Sequence, residues 1–426
     1  MYKISELIMN YQEFSTIFLN TIKIFKNFFF SFDEQLARRH YKKLMAFILM
    51  PIFNVKSINQ IHNQKIKDGL YNFFKNNSDT LDALTFLMFC SFQFLCYWID
   101  YLKTKSSSVQ AKNWIRIIID DSDTQKFGKM MQCISTFFSH GNQRYIDGFQ
   151  YVAIFISIGD KVKFPVAIKL YPPKTGISKL DIAQHLLQQL FSQLQATNLW
   201  FPKHSLVLFD SWYLSKKLVA FLNQHQLKYL GKAKSNWKYR FYTDLKKYIP
   251  RNQLSIFHKF YTLFMNWTQF MVSSVLQLTP SAVRSQWPSA LYVSRVKVYH
   301  RTMKHTLLIY DKRINENKIY LTTAYELNTA SIIIFYSERW DIESFFRDTK
   351  QHLNLQDFGF QKFNANQIYL CFRLLSYYFL VLFRQSKPFL NRMTIGQLKN
   401  LINHKFYKIA QHYNNQFDKV IFHYLR

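Results

Sequence analysis

The stretch from Tyr336 to Lys350, Tyr-Ser-Glu-Arg-Trp-Asp-Ile-Glu-Ser-Phe-Phe-Arg-Asp-Thr-Lys, sets one carboxylate among cations at helical spacing. It holds no Gly or Pro, apolar residues run through it from Ile332 to Phe346, and Asn328 or Thr329 stands where a cap is needed, so one helix is predicted. At about 100° per residue, Tyr336, Arg339, Glu343 and Lys350 project within a sector of roughly 60°. Glu343 is the only acid on that face, and Glu338, Asp341 and Asp348 fall on a solvated or salt-bridging side. An acid with Arg339 one turn below and Lys350 two turns above stays ionised and lies beside groups able to hold phosphates. The same spacing also suits a surface helix with an ordinary i,i+4 pair between Arg339 and Glu343.

Two more acids stand at the ends of apolar runs that read as strands. Trp114-Ile115-Arg116-Ile117-Ile118-Ile119 leads into Asp120-Asp121-Ser122-Asp123, and Ser205-Leu206-Val207-Leu208-Phe209 ends at Asp210. An Asp in the second position is also a common cap for the next helix. Carboxylate oxygens are hard ligands suited to Mg²⁺ or Mn²⁺. Two such ions about 3.5 to 4 Å apart activate an attacking oxygen and stabilise a leaving one in phosphodiester displacement.

The spacing Tyr336-x2-Arg339-x3-Glu343-x6-Lys350, with Trp340 after the Arg and Ile342 before the Glu, resembles the signature of the YREK branch of bacterial insertion-sequence DDE transposases (insertion-sequence-four type). Asp210-Ser211-Trp212-Tyr213 is similar to that family's second motif, and the resemblance covers roughly residues 110 to 365. It implies an α/β fold class, with an RNase H-like catalytic core interrupted by a β-rich insertion and preceded by a helical N-terminal module. It further implies an Asp-Asp-Glu triad of Asp120, Asp210 and Glu343 holding two Mg²⁺ or Mn²⁺ ions, with Tyr336, Arg339 and Lys350 holding DNA near the break. The implied activity is cut-and-paste transposition: binding of terminal repeats, hydrolytic nicking and attack of a freed 3′ hydroxyl on target DNA, by a homodimer in the DNA complex. The family's first motif is Asp-x-Thr or Asp-x-Ser, which Asp120 satisfies with Ser122 and Asp121 does not. The middle residue is itself acidic here, and a bend at the strand end could turn Asp121 inward. A catalytically inactive, transposase-derived DNA-binding protein is the alternative, against which the intact acids and spacing argue.

Composition agrees with a polyanionic partner. Lys and Arg number 56 against 25 acids, a formal charge of +31, spread along the whole chain rather than gathered in one tail. A bias toward Lys, Asn, Ile, Phe and Tyr, such as coding DNA rich in A and T produces, accounts for part of that surplus. With 49% hydrophobic residues the chain is globular. Four cysteines without a C-x2-C pair fit reduced thiols and a cytoplasmic protein. The apolar runs 84–99 and 368–383 read as core helices, so no membrane is expected.

The elements that must position the acids divide the chain four ways. Residues 1–109 read as a helical module able to bind DNA ends, broken near Pro51 and near residues 76–79, with Ser57 to Phe74 as a candidate recognition helix. A linker is expected from Lys103 to Gln110. Residues 110–235 read as the first part of the core, in the order three strands, helix, strand, helix, strand. Residues 236–325 read as a β-rich insertion in which Arg295, Lys297 and Tyr299 share a face. Residues 326–426 carry the glutamate helix and the closing helices.

Overall fold

The computed structural model describes residues 9–77, 82–105, 114–128, 130–139, 141–158, 162–196, 205–233, 240–241, 279–300 and 303–412. The linker expected from Lys103 to Gln110 is helical over its first residues, since α4 runs to Lys105, and the rest of it, a cap at Ser78 or Asp79, the turn at Gly159-Asp160 and a strand from Gln269 to Leu278 lie outside the described residues.

Four helices come first: α1 (Tyr11–Phe32), α2 (Glu34–Leu49), α3 (Gln64–Asn76) and α4 (Ala83–Lys105). Short polar side chains satisfy their free amides. Asn10 accepts from the Glu13 amide at 2.7 Å, Asp33 from Leu36 at 2.9 Å and Asn63 from Ile66 at 3.2 Å. That last cap shortens the candidate recognition helix. Ile58–Gln60 form only a 3₁₀ turn, the α-helix starts after Asn63, and Leu70, Phe73 and Phe74 are spent on the core.

The remaining chain builds a mixed eleven-stranded sheet flanked by helices. Its strands are β1 (Ile115–Gln125), β2 (Ser135–Ser139), β3 (Arg144–Ile158), β4 (Val162–Leu170), β5 (Ser205–Phe209), β6 (Lys228–Lys232), β7 (Arg240–Phe241), β8 (Thr279–Pro280), β9 (Ala290–His300), β10 (Lys304–Arg313) and β11 (Asn317–Thr322). Spatial order runs β3-β1-β5-β6-β11-β10-β9. β2 and β4 pair along β3, and β7 and β8 pair with β9. β1, β3 and β4 are antiparallel neighbours, while β1, β5 and β6 run parallel, joined through α5 (Lys179–Ala196) and α6 (Lys216–Gln224). The later strands do not form a sheet of their own: β11 pairs with β6 through Tyr320↔Lys232, Leu321↔Gly231 and Thr322↔Leu230.

The chain closes with α7 (Thr329–Ser337), α8 (Trp340–His352), α9 (Phe363–Gln385) and α10 (Ile395–His412). By length and hydropathy α9 alone among the described helices is fit to cross a membrane, yet 94% of its apolar window is buried inside the protein. It is the axle of the helical layer. Phe18 of α1 meets Phe379 with ring centroids 5.2 Å apart, Phe47 of α2 meets Tyr369 at 5.4 Å, and the fully buried Arg373 donates to the Phe47 carbonyl at 2.8 Å. On its other side Tyr378 donates to the Pro165 carbonyl of β4, which ties this layer to the sheet.

Candidate active site

Strand register brings the first two acids together. Ile118 of β1 lies beside Leu208 of parallel β5, so Asp120 and Asp210, each two residues further on, stand at one level and on one face; β5 ends at Phe209 as expected, whereas β1 does not end at Asp120 but runs on to Gln125, held by its pairing with β3. Past that level β3 stays against β1 only because residue 148 is glycine: a Cβ there would lie 2.0 Å from the Thr124 carbonyl oxygen.

Asp120 accepts from Arg339 Nη1 at 2.9 Å through Oδ2 and from the Asp121 amide at 2.9 Å through Oδ1. Arg339 Nη2 donates to Glu343 Oε1 at 2.5 Å, so one guanidinium spans the acid of β1 and the acid of α8. Burial pushes the Asp120 carboxyl up to about 7. Arg339 opposes this, and the charges of Asp121 and Asp210 add to it. Asp210 Oδ1 accepts the amides of Trp212 at 2.9 Å and Tyr213 at 3.2 Å, which fixes the turn leaving β5.

The helix expected to run unbroken from Asn328 to Lys350 is two helices. Asn328 does cap the first, accepting from the Ser331 amide at 2.7 Å, but α7 ends at Ser337 and α8 begins at Trp340. Across the joint the Arg339 amide reaches the Tyr336 carbonyl at 3.1 Å and the Asp341 amide reaches Glu338 at 2.9 Å, a three-residue spacing in place of four. The cause lies in β1. Arg116, 2% exposed, pairs with Glu338 while also donating to the Trp114 carbonyl at 3.0 Å and Ser157 Oγ at 3.2 Å. Arg116 and Asp120 share a face of β1, and they take the neighbours Glu338 and Arg339, which tightens the turn between them.

Tyr336 lies against Tyr320 with centroids 4.6 Å apart, and the Arg339 guanidinium is 5.9 Å from its ring. Burial pushes the Tyr336 hydroxyl up to about 12. Lys350 turns inward, donating to Ser122 Oγ at 2.8 Å and the Asp123 carbonyl at 2.7 Å; burial lowers its pKa, which Asp123 opposes. Arg339 thus joins Asp120 to Glu343 with the Tyr336 ring near it, Asp210 stands level with Asp120 on the next strand, and Lys350 holds the stretch of β1 just past them.

Sequence spacing did not reveal what Asp121 does. It points away from Arg339, taking Lys179 of α5 at 2.6 Å and the buried Tyr213 hydroxyl at 3.1 Å. Tyr213 was visible only as a motif position, and Lys179 carried no signal. Glu338 and Asp341, expected on a salt-bridging side, pair with Arg116 and with Lys163, the latter at 3.0 Å.

Among the described residues no three His, Cys, Asp or Glu side chains gather as a metal-holding group. The donor chemistry of Asp120 and Glu343 suits a hard divalent cation, and a cation, the Arg339 guanidinium, stands between these two carboxylates.

Comparison with known families matches residues 117–379, more than half of the chain, to the Transposase DDE domain, which leaves α1 to α4 outside the match. No match was found among curated proteins. The matched segment opens three residues before Asp120 and closes beyond the helix that bears Glu343, and by it this chain belongs to the family of the transposase DDE domain.

Proposed function

We propose that the chain is the transposase of an insertion sequence of the YREK branch, cleaving and joining DNA at an RNase H-like centre formed by Asp120, Asp210 and Glu343. The observation that carries this reading is the Arg339 fork, which reaches from Asp120 on β1 to Glu343 on α8 and so joins two of the three proposed catalytic acids across 223 residues of sequence. The strand order around β1, with β3 and β4 antiparallel to one side and β5 and β6 parallel to the other, also supports it.

Asp120, Asp210 and Glu343 would hold two Mg²⁺ or Mn²⁺ ions, which when bound activate the attacking oxygen and stabilise the leaving one. The protein's own residues do the rest. The Trp212 and Tyr213 amides orient Asp210 and the Asp121 amide orients Asp120; Tyr336, Arg339 and Lys350 would hold the phosphate backbone, Lys350 by exchanging the Ser122 hydroxyl and Asp123 carbonyl that it holds without DNA. In the proposed division, residues 1–109 bind terminal repeats and 236–325 add a DNA-facing ribbon. On β9 Arg295 is tied to the carbonyls of Leu327 and Tyr325, both at 2.5 Å, while Lys297 on the same face is exposed. The acting form is a homodimer on double-stranded DNA in a bacterial cytoplasm.

The test is a cleavage assay on DNA carrying the matched element end. Glu343→Ala should abolish Mn²⁺-dependent nicking and keep or strengthen end binding, because one negative charge leaves a site that faces phosphates. Nicking at the wild-type rate by this variant would remove the triad assignment.

A further inference from the structure

We propose that Arg339 is an exchangeable counter-ion: without DNA its guanidinium neutralises Asp120 and Glu343, and a DNA phosphate that draws it off opens those carboxylates to a divalent cation. This rests on the reading of Asp120 and Glu343 as ligands of that cation.

The geometry is specific. Two different nitrogens of Arg339 serve two different acids, Asp120 at 2.9 Å and Glu343 at 2.5 Å. The side chain is 14% exposed, so the bridge sits largely out of water. The second oxygen of Asp120 is already taken by the Asp121 amide, so Oδ2, its oxygen toward α8, is the one the guanidinium holds. A small divalent cation binds carboxylate oxygen at about 2.0–2.1 Å. With a guanidinium hydrogen-bonded to Asp120 Oδ2 and Glu343 Oε1, each oxygen has one lone pair occupied and a second cation at these oxygens is repelled by the first, so the two weaken each other there. Cation and Arg339 therefore compete.

Arg339 also has few internal places to go. Glu338 is held by Arg116, Asp341 by Lys163, and Asp121 by Lys179 and Tyr213. A displaced guanidinium needs another anion, and phosphate fits its planar fork in two-point contact. Its position at the tight joint between α7 and α8, with Tyr336 beneath it, lets the side chain swing without unwinding a helix. DNA and cation then raise each other's affinity by the same factor, since linkage between two binding sites is reciprocal.

The experiment is Mn²⁺ titration followed by the electron paramagnetic resonance signal of the free ion, on the full chain, with and without a mixed-sequence duplex at low salt. Wild type is compared with Arg339→Gln, Arg339→Lys, Asp120→Asn and Arg347→Gln. Arg347 lies on the same helix with its side chain 63% exposed, so its loss controls for simple removal of positive charge. Without DNA, Arg339→Gln should bind Mn²⁺ about fivefold tighter than wild type or more, within the usual range of such couplings. Arg339→Lys, which keeps charge but loses the fork, should fall between, and Arg347→Gln should match wild type. Duplex should tighten Mn²⁺ binding by wild type more than by Arg339→Gln. Equal or weaker binding by Arg339→Gln without DNA, or an equal gain on adding duplex, overturns the counter-ion role. If Asp120→Asn binds Mn²⁺ as wild type does, the metal-ligand reading falls and takes this proposal with it. If Asp120→Asn loses Mn²⁺ while Arg339→Gln gains nothing, the counter-ion role fails alone.

Discussion

Asp120 and Asp121 are adjacent in sequence and opposite in duty. Successive strand residues face opposite sides, so Asp120 meets Arg339 while Asp121 meets Lys179 and Tyr213. The carboxyl of Asp120 lies near 7 in the folded chain against an ordinary value of 3.8, first through burial. A folded pKa raised above the unfolded one contributes stability that is full below pH 3.8 and lost as the pH rises through 7. In metal-free protein, then, Asp120→Asn should gain thermal stability relative to wild type between pH 4 and pH 7, as melting curves across that range would register. Asp121→Asn weakens the Lys179 pair and should cost roughly 1–3 kcal/mol throughout. Assayed side by side for Mn²⁺-dependent cleavage, Asp120→Asn should be inactive and Asp121→Asn impaired; inactivity confined to Asp121→Asn would reverse the two roles.

The joint between α7 and α8 is the element on which the glutamate and its arginine both depend. Arg116 and Glu338 form a largely buried ion pair, and removing one partner of such a pair leaves an uncompensated charge costing about 3–5 kcal/mol. Arg116→Met should show that loss in denaturant melts, and Arg116→Met with Glu338→Gln should recover part of it. A double variant as unstable as the sum of the singles would mean that the two side chains do not act as a pair. The helical start at Asn328, the strands before Asp120 and Asp210 and the helices between them were legible because each rests on local pattern: Asn328 as cap, largely apolar runs before the two acids, no Gly or Pro from Thr329 to Lys350. The joint was not legible, since nothing between Ser337 and Trp340 breaks a helix and the pull comes from Arg116, far off in sequence. The Tyr213 contact spans 92 residues and the Lys179 contact 58, so neither leaves a periodic trace. β2 escaped notice because Ser-Thr-Phe-Phe-Ser has no clean alternation and draws its order from pairing with β3.

Across the whole molecule the leading helices share a core with the closing ones. Phe14, Phe18 and Phe29 of α1 and Phe47 of α2 pack against aromatic residues of α9, Phe29 face to face and the others edge-on, beside the buried Arg373. A chain starting at residue 110 should therefore expose that apolar flank, bind the dye 8-anilinonaphthalene-1-sulfonate and lose its cooperative melt; a sharp transition without dye binding would show α1 to α4 to be separable. The sheet itself is stitched unevenly. Eleven residue pairs join β1 to β3, whereas three join β6 to β11. The parallel seams β1–β5 and β5–β6 are nearly as short as the β6–β11 seam, so a load applied across the strands falls on this run of short seams, and Asp120 and Asp210 stand on either side of one of them while the long β1–β3 ribbon holds.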